Sequence, residues 1–238
     1  MPPHPRSLPV AAVEAVGEYT LLRLRNDGAD PGLPGQFFML RAEPTPDDAY
    51  LPRAVSAAWA DEGELVFLLD VRGAGTRALA AAAMVSVLGP LGQGFRLAPG
   101  ASILVGGGIG AAILPWLRQQ LAPSGDVRTV LGFRTPGQAV CAGLVDPDAT
   151  VVIEPVLVTE PLARLLPAEA TVYACGPDPM LQAVAALCAE HDVPCQLAME
   201  AAMACGFGAC YGCAVRIDGE WKRLCIEGPV VEAARALC

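Results

Sequence analysis

Apolar and polar positions alternate over short distances in the first part of the chain. Short segments rich in β-branched and aromatic residues are separated by clusters of glycine, proline and aspartate, which predicts strands joined by turns. We expect a small antiparallel β-barrel over residues 1–98. The Gly/Pro-rich stretch VSVLGPLGQGF is expected to be the turn that ends it. The segments are AAVEAV, YTLLRLR, GQFFMLRA, AVSAAWA and ELVFLLDV.

The pattern changes at Ala101, where apolar strands begin to alternate with helices. ASILVGGGIGAAILPWLRQQLA predicts a buried strand, a glycine turn and a helix. DVRTVLGF, ATVVIEPV and TVYACGP predict three more strands, and PMLQAVAALCAEH predicts a helix with Met180, Val184, Leu187 and Cys188 on one face. This alternation predicts a parallel α/β sheet over residues 99–195.

The remaining residues, 196–238, are rich in glycine and cysteine. They are too few to carry a core of their own, and units of this size usually depend on a metal or a cross-link. The predicted fold class is therefore α/β plus β, with an antiparallel barrel, a parallel α/β domain and a small carboxyl-terminal module.

Composition limits the functions that this fold can serve. The chain has 238 residues, 53% of them hydrophobic, and a formal net charge of −9, which disfavours nucleic acid as a partner. No apolar run is long enough for a signal peptide or a membrane span. Among nine cysteines, five stand singly among apolar residues, which fits a reducing compartment and predicts a cytoplasmic protein. The five are Cys141, Cys175, Cys188, Cys195 and Cys238.

The strongest chemical signal is MACGFGACYGCAV, followed by KRLCIEGP. Its thiols follow the C-x4-C-x2-C…C spacing of plant-type [2Fe–2S] ferredoxins. A structural zinc site and a set of unliganded thiols are the alternatives, but zinc usually draws on two C-x2-C pairs or on histidines. The candidate iron ligands are Cys205, Cys210, Cys213 and Cys225.

The residues between these cysteines suit a loop that wraps a cluster. Such a loop must point backbone N–H groups at sulfur, and the backbone angles that this needs are open to glycine at positions 206, 208 and 212. The Asp218-Gly219 pair predicts a tight hairpin turn that returns Cys225 to the other three thiols.

A flavin site is indicated in the predicted barrel. LPRAVSAAW places Arg53 and Ser56 in an R-x-x-S spacing on one strand. An arginine fork suits a diphosphate, and the serine hydroxyl would face the isoalloxazine edge. In VRGAGTRAL, Gly73, Gly75 and Thr76 are predicted to open a helix, whose N-terminus favours anions. The alternative is a solvated arginine and an ordinary glycine turn.

A nicotinamide site is indicated in the α/β region. LVGGGIGAA fits G-x-G-x-x-A at Gly106, Gly108 and Ala111, between a strand and a helix. The second strand ends in LGFRTP, with Arg134 where a ribose-binding carboxylate is usual. TVYACGPDPM places Cys175, Gly176 and Pro177 at the carboxyl end of another strand. The alternative is turn chemistry in a fold that does not bind nucleotide.

These motifs, in this order, resemble the electron-transfer subunits of NAD-dependent dihydroorotate dehydrogenase B, within the ferredoxin reductase-like flavoprotein superfamily. The resemblance covers nearly the whole chain, and AMEAAMACGFGACYGCAV with KRLCIEGPVV is its most specific part. It implies a [2Fe–2S] cluster on the four cysteines and an NAD site at Gly107, Gly108, Cys175 and Gly176. It implies an FAD site on Arg53, Ala54, Val55, Ser56, Leu68, Leu69, Asp70, Gly75 and Thr76.

The resemblance also implies a relay and a partner. A catalytic subunit carrying FMN oxidises dihydroorotate to orotate in pyrimidine biosynthesis, in a complex of two plus two subunits. Electrons then pass through the cluster and FAD to NAD+. The chain itself is expected to carry no catalytic acid or base, and to bind neither nucleic acid nor membrane.

The sequence departs from the family pattern at several points. Ala54 and Val55 stand where proline and isoleucine are usual, Leu69-Asp70 replaces Tyr-Arg, and Gln138 replaces an aspartate. We expect Arg72, two residues along the same strand, to compensate for the anion at Asp70. The glycine-rich loop that covers the nicotinamide in the family is missing.

Two other functions stay open at the level of sequence. One is a reductase subunit of a ferredoxin:NADP, sulfide dehydrogenase or hydrogenase complex, in which Arg134 would bind a 2′-phosphate. The other is a redox sensor that has lost hydride transfer.

Overall fold

Seven antiparallel strands form the amino-terminal half of the chain, in a computed structural model that describes residues 4–166 and 169–236. They form one curled sheet in the order β4-β3-β7-β1-β2-β6-β5, which confirms the predicted β-structure. Cys238 lies outside the described residues. The strands are β1 (Arg6–Val16), β2 (Tyr19–Arg25), β3 (Phe37–Glu43), β4 (Arg53–Ser56), β5 (Trp59–Ala60), β6 (Glu64–Leu69) and β7 (Met84–Leu91).

The predicted terminal turn VSVLGPLGQGF is wrong over its first seven residues, because Met84–Leu91 is a strand that lies between β3 and β1. The pairing of β3 with β7 is irregular between Phe37 and Met39, opposite Gly89 and Pro90. Since a bulge does not require a ladder N–H at each residue, this irregularity allows glycine and proline inside a central strand. Helix α1 (Ala74–Ala81) closes one end of the curled sheet, where its Leu79 is fully buried.

The second half contains the predicted parallel sheet, with strand order β10-β9-β8-β11-β12. A 3-10 turn over Gly108–Ile113 follows its central strand, so Pro115 falls in the first turn of the next helix, where proline is tolerated. No helix among the described residues is long and apolar enough to cross a membrane. The elements are β8 (Ala101–Gly107), α2 (Leu114–Leu121), β9 (Val127–Phe133), α3 (Pro136–Ala139), α4 (Ala142–Val145), β10 (Thr150–Ile153), α5 (Thr159–Leu165), β11 (Ala170–Cys175), α6 (Asp178–Glu190) and β12 (Cys195–Ala198).

The carboxyl-terminal segment leaves this sheet and returns to it. Its last strand pairs antiparallel with β12 at the sheet edge, with Leu197 opposite Val231. Between the two strands lies a hairpin whose turn residues Asp218 and Gly219 have φ of 54° and 72°, as the predicted tight turn requires. The elements are β13 (Ala214–Ile217), β14 (Glu220–Arg223), α7 (Leu224–Glu227), β15 (Val230–Glu232) and α8 (Ala233–Ala236).

The carboxyl-terminal segment shares one hydrophobic core with the rest of the protein. Buried Ile217 and Leu224 belong to the same cluster as Phe37 and Met39 of the curled sheet and Val172 of the parallel sheet. The backbone N–H of Gln93, just after β7, donates to the Gly228 carbonyl at 2.5 Å. The division into domains at residues 98 and 195 stays a prediction.

The linker between the two sheets is fixed by two side chains from the parallel sheet. The Gln196 amide accepts from the Arg96 N–H at 2.9 Å and donates to the Arg96 carbonyl at 2.8 Å. The Tyr173 hydroxyl accepts from the Ala98 N–H at 2.8 Å. Both side chains are buried, so the linker groups have partners that water cannot readily replace.

We expect Gln196→Leu to lower the free energy of unfolding by about 1–3 kcal/mol, because it leaves the Arg96 N–H without a partner and leaves the Arg96 carbonyl with only the 3.3 Å hydrogen bond from the Tyr173 hydroxyl. Gln119→Leu, on the exposed side of α2, is the matched control and should change stability by less than about 0.5 kcal/mol. Urea denaturation at equal cofactor loading measures both. Equal stability of the two variants would contradict this account of the linker.

Candidate functional site

The cysteine segment brings its four thiols together at one side of the curled sheet. Cys213 and Cys225 are buried, Cys205 is half-buried and Cys210 is exposed. The Leu224 N–H donates to the Cys213 carbonyl at 3.1 Å, which holds the start of α7 against the cysteine loop. The hairpin β13–β14 therefore returns the fourth cysteine to the first three, as its turn sequence predicts.

Backbone N–H groups point at the sulfurs of this loop. Burial raises the pKa of Cys205, but the N–H groups of Cys210, Phe207 and Ala209 outweigh it and lower the pKa to about 7. The Gly212 N–H donates to the Cys210 sulfur at 3.4 Å. Because such donors stabilise thiolates, the loop fits the anionic sulfurs of an iron–sulfur cluster.

The four thiols are arranged as two pairs. The Cys205 thiol hydrogen bonds with Cys210, and the Cys225 thiol hydrogen bonds with Cys213. Burial and the neighbouring Cys213 raise the pKa of Cys225 to about 12. No group of three His, Cys, Asp or Glu side chains in the described ranges converges on a single ion. Two pairs of thiols suit a two-iron centre, in which each iron takes two protein thiolates.

The loop conformation depends on two of its three glycines. Gly206 and Gly208 have φ of 78° and 86°, whereas Gly212 does not adopt a positive φ, and Tyr211 next to it has φ of 58°. The Arg223 guanidinium lies 4.8 Å from the centre of the Tyr211 ring and donates to the Gly208 carbonyl at 3.1 Å. This cation–π contact compensates for an unfavourable backbone angle at a non-glycine residue.

A cavity of about 270 Å³, here called the inner cavity, lies where the curled sheet, the parallel sheet and the cysteine segment meet. Its walls are mostly apolar with a few polar groups, as is usual for cofactor sites. The curled sheet contributes Phe37, Ala54, Val55, Ser56, Leu68, Leu69, Asp70 and Thr76. The other walls include Ile109, Gly110, Ala112, Ile113, Cys175, Ala198, Met199, Glu200, Ala201, Met203 and Pro229.

Two predicted flavin residues, Arg53 and Gly75, lie beside the inner cavity rather than in its wall. The Arg53 guanidinium packs on the first turn of α1. A Cβ added to Gly75 in this turn would lie 2.2 Å from Arg53 Nε. The Thr76 hydroxyl accepts from the Gly73 N–H at 3.3 Å and holds the loop before the helix. A guanidinium beside a helix N-terminus is suited to a diphosphate.

Asp70, in the wall of the inner cavity, forms an ion pair with Arg72. Arg72 Nη2 lies 2.6 Å from Asp70 Oδ2, so the cation neutralises the unexpected anion as predicted. The two side chains do not share a strand face, because β6 ends at Leu69 and both lie in the following loop.

A larger cavity of about 520 Å³, here called the outer cavity, lies over the carboxyl ends of the parallel strands. Gly107, Gly108 and Gly176 line it, whereas Cys175 lines the inner cavity. Burial raises the pKa of the Cys175 thiol strongly, so the thiol stays neutral.

The glycine turn has one position that is open to a ligand. A Cβ added to Gly107 would meet Met180 Sδ at 2.4 Å, and one added to Gly110 would meet the Cys175 carbonyl at 2.6 Å. The clash at Gly110 is with backbone, so this glycine is needed for packing, whereas the clash at Gly107 is with the end of the flexible Met180 side chain, which can move. At Gly108, with φ of 55°, the nearest atom to an added Cβ is the Tyr19 hydroxyl at 3.9 Å.

The far end of the outer cavity contains the carboxylate that the second strand lacks. Glu154 follows β10 and lies beside Arg134, with 3.4 Å between Arg134 Nε and Glu154 Oε1. The Glu154 N–H donates to the Phe133 carbonyl at 3.0 Å, which holds the two loops together. Sequence order alone does not reveal this pairing, since the acid comes from a neighbouring strand.

Four residues line both cavities: Asp70, Ile109, Gly110 and Glu200. The Glu200 side chain opens into the cavities, yet surrounding protein atoms and the charge of Asp178 raise its pKa. From this shared wall the chain continues through Met203, in the inner cavity, to Cys205. Sequence motifs give no signal for the Met199–Met203 lining or for Tyr19, because neither belongs to a glycine or cysteine pattern.

The chain matches known proteins in sequence, most specifically in its carboxyl-terminal segment. The iron–sulfur cluster binding domain of dihydroorotate dehydrogenase B matches residues 200–236. The dihydroorotate dehydrogenase B (NAD(+)) electron transfer subunit of Desulforamulus reducens is 37% identical over 227 residues, covering 86% of each chain. That of Caldanaerobacter subterraneus subsp. tengcongensis is 32% identical over 218 residues, covering 86% of this chain and 87% of its own.

The fold also occurs among solved structures. A chain of the NADH-dependent reduced ferredoxin-NADP oxidoreductase superposes with a TM-score of 0.81 at 22% identity, covering 96% of this chain and 88% of that chain. At this identity the likeness concerns the fold alone. The sequence relatives decide the family, and the protein belongs to the dihydroorotate dehydrogenase B electron transfer subunits.

Proposed function

We propose that the protein passes electrons from a dihydroorotate-oxidising partner to NAD+. In this proposal Cys205, Cys210, Cys213 and Cys225 hold a [2Fe–2S] cluster, the inner cavity holds the isoalloxazine of FAD, and the outer cavity holds NAD. The observation that carries it is the wall shared by the two cavities, from which the chain continues directly to the cysteine loop.

A cluster exchanges single electrons and a flavin exchanges either single electrons or a hydride, so together they link a one-electron donor to a nicotinamide. The chain's own residues bind and orient these groups. Arg53 and the first turn of α1 would hold the FAD diphosphate, and the Ser56 hydroxyl would face the isoalloxazine edge. The apolar lining of the inner cavity would keep water from the flavin.

Oxidation of the organic substrate belongs to another polypeptide. The chain has two histidines, His4 and His191, and one lysine, Lys222, and none of them lines either cavity. The named relatives are electron transfer subunits of dihydroorotate dehydrogenase B. We therefore infer a partner catalytic subunit that carries FMN, in a two plus two complex for pyrimidine biosynthesis. Free buried thiols, such as Cys141 and Cys188, fit a cytoplasmic location.

One observation supports a second candidate, a ferredoxin:NADP reductase subunit. Arg134 lies where a 2′-phosphate would bind. Glu154 beside it favours NAD, because its carboxylate would accept from a ribose diol and repel a phosphate. We expect NADH to reduce the flavin at least about tenfold more efficiently than NADPH. Anaerobic stopped-flow traces at 450 nm with each coenzyme decide this, and the opposite preference would favour the second candidate.

The cluster assignment is tested by removing one thiol. Cys225→Ala should lose iron and labile sulfide, because three thiolates cannot complete the ligand set. Cys141→Ala removes an equally buried thiol far from the cysteine loop and should keep both. Iron and sulfide analysis with electron paramagnetic resonance of the reduced protein measures the effect. A full iron complement in Cys225→Ala would refute this ligand set.

The FAD assignment is tested at two neighbouring glycines. Gly75→Ala should weaken FAD binding about tenfold or more, because the new methyl group displaces the Arg53 guanidinium from the diphosphate site. Gly73→Ala is the matched control, since a Cβ there meets nothing within 4 Å. Flavin fluorescence titration of the apoprotein gives both affinities. Equal affinities would place the diphosphate elsewhere.

A further inference from the structure

The tip of the β1–β2 hairpin reaches from the curled sheet to the parallel sheet. The Glu18 N–H donates to the Gly137 carbonyl at 3.1 Å, and the Thr135 hydroxyl donates to Glu18 Oε1 at 2.5 Å. The two backbones are so close that a Cβ on Gly17 would lie 1.9 Å from the Gly137 oxygen. This contact fixes the hairpin beside the loop that follows β9.

Tyr19, the next residue, is held at the edge of the outer cavity by this contact. Its ring is 2% exposed and packs in a core cluster with Leu104, Phe133 and Cys141. Tyr19 lines the outer cavity, and its hydroxyl faces Gly108, the open position of the glycine turn. A group bound against the Gly108 backbone would therefore lie between the parallel sheet and a hydroxyl from the curled sheet.

The surroundings keep this hydroxyl protonated. Burial, followed by the neighbouring Cys141 and Asp70, raises the pKa of Tyr19 to about 12, although Arg72 acts in the opposite direction. Glu18 adds a further negative charge nearby. A protonated phenol donates a hydrogen bond to an anionic oxygen, and such charge-assisted bonds are stronger than neutral ones.

We propose that the Tyr19 hydroxyl donates to a phosphate oxygen of the dinucleotide bound at Gly108, so that the flavin-binding sheet supplies a positioning residue to the nicotinamide site. The inference rests on the proposed use of NAD in the outer cavity. The dinucleotide is then bound by groups from both sheets. The hairpin contact between Glu18 and Thr135 sets the distance between the Gly108 backbone and the Tyr19 hydroxyl.

The test is Tyr19→Phe, which keeps the buried ring and removes only the hydroxyl. We expect the Kd for ADP-ribose, measured by titration calorimetry on the holoprotein, to rise about tenfold, and the KM for NADH to rise similarly with kcat unchanged. Tyr50→Phe removes an exposed hydroxyl that lines neither cavity and should leave these values unchanged. Visible spectra and melting temperatures report on flavin binding and folding in each variant.

The outcomes separate this inference from the proposed function. If the parent protein binds ADP-ribose and Tyr19→Phe binds it equally tightly, the role of Tyr19 is refuted and the proposed function stands. If the parent protein binds neither ADP-ribose nor NADH, both are refuted. A fall in kcat with unchanged KM and Kd would also refute positioning, since the hydroxyl would then act on the reaction and not on binding.

Discussion

Pairing of β15 with β12 is the constraint on which the two cavities and the cysteine loop depend. The chain leaves the parallel sheet at Ala198 and returns to it at Val230, so the segment between them, which contains the β13–β14 hairpin and α7, has both ends fixed at one sheet edge. The hydrogen bond from Gln93 to Gly228 attaches the returning end to the curled sheet. Without these contacts, Pro229 and Met203 would not close the inner cavity, and Cys225 would not meet Cys213. The carboxyl-terminal segment is thus stabilised by packing against the two sheets and not by a hydrophobic core of its own.

Sequence patterns were sufficient where a residue's role is local. The cysteine spacing, the Asp218-Gly219 turn and the alternation of strands and helices each depend on neighbours along the chain. The structure has this turn and a strand within each predicted segment, although AVSAAWA divides into β4 and β5. β7 was missed because Gly89 and Pro90 usually end strands, and only the partner strand β3 makes room for them. Tyr19 and Glu154 were missed for a similar reason, since their importance arises from residues that are distant in sequence.

The glycine motif after β8 has two physical explanations, close approach of a ligand and close packing of two turns. Dinucleotide fingerprints are usually explained by close approach of phosphate to backbone. Here Gly110 is needed because the turns after β8 and β11 touch, and a side chain there would collide with the backbone of Cys175 and Gly176. Only Gly108 leaves free space. A glycine motif therefore reports packing between strand ends as much as it reports a ligand.

The wall common to the inner and outer cavities restricts how such a protein can evolve. A substitution at Ile109 or Glu200 changes the lining of both cavities at once. Arg134 and Glu154 border the outer cavity alone. Under the proposed function, coenzyme preference can therefore change at Arg134 and Glu154 without altering the flavin site, which separates the part of the molecule that can diversify from the part that cannot.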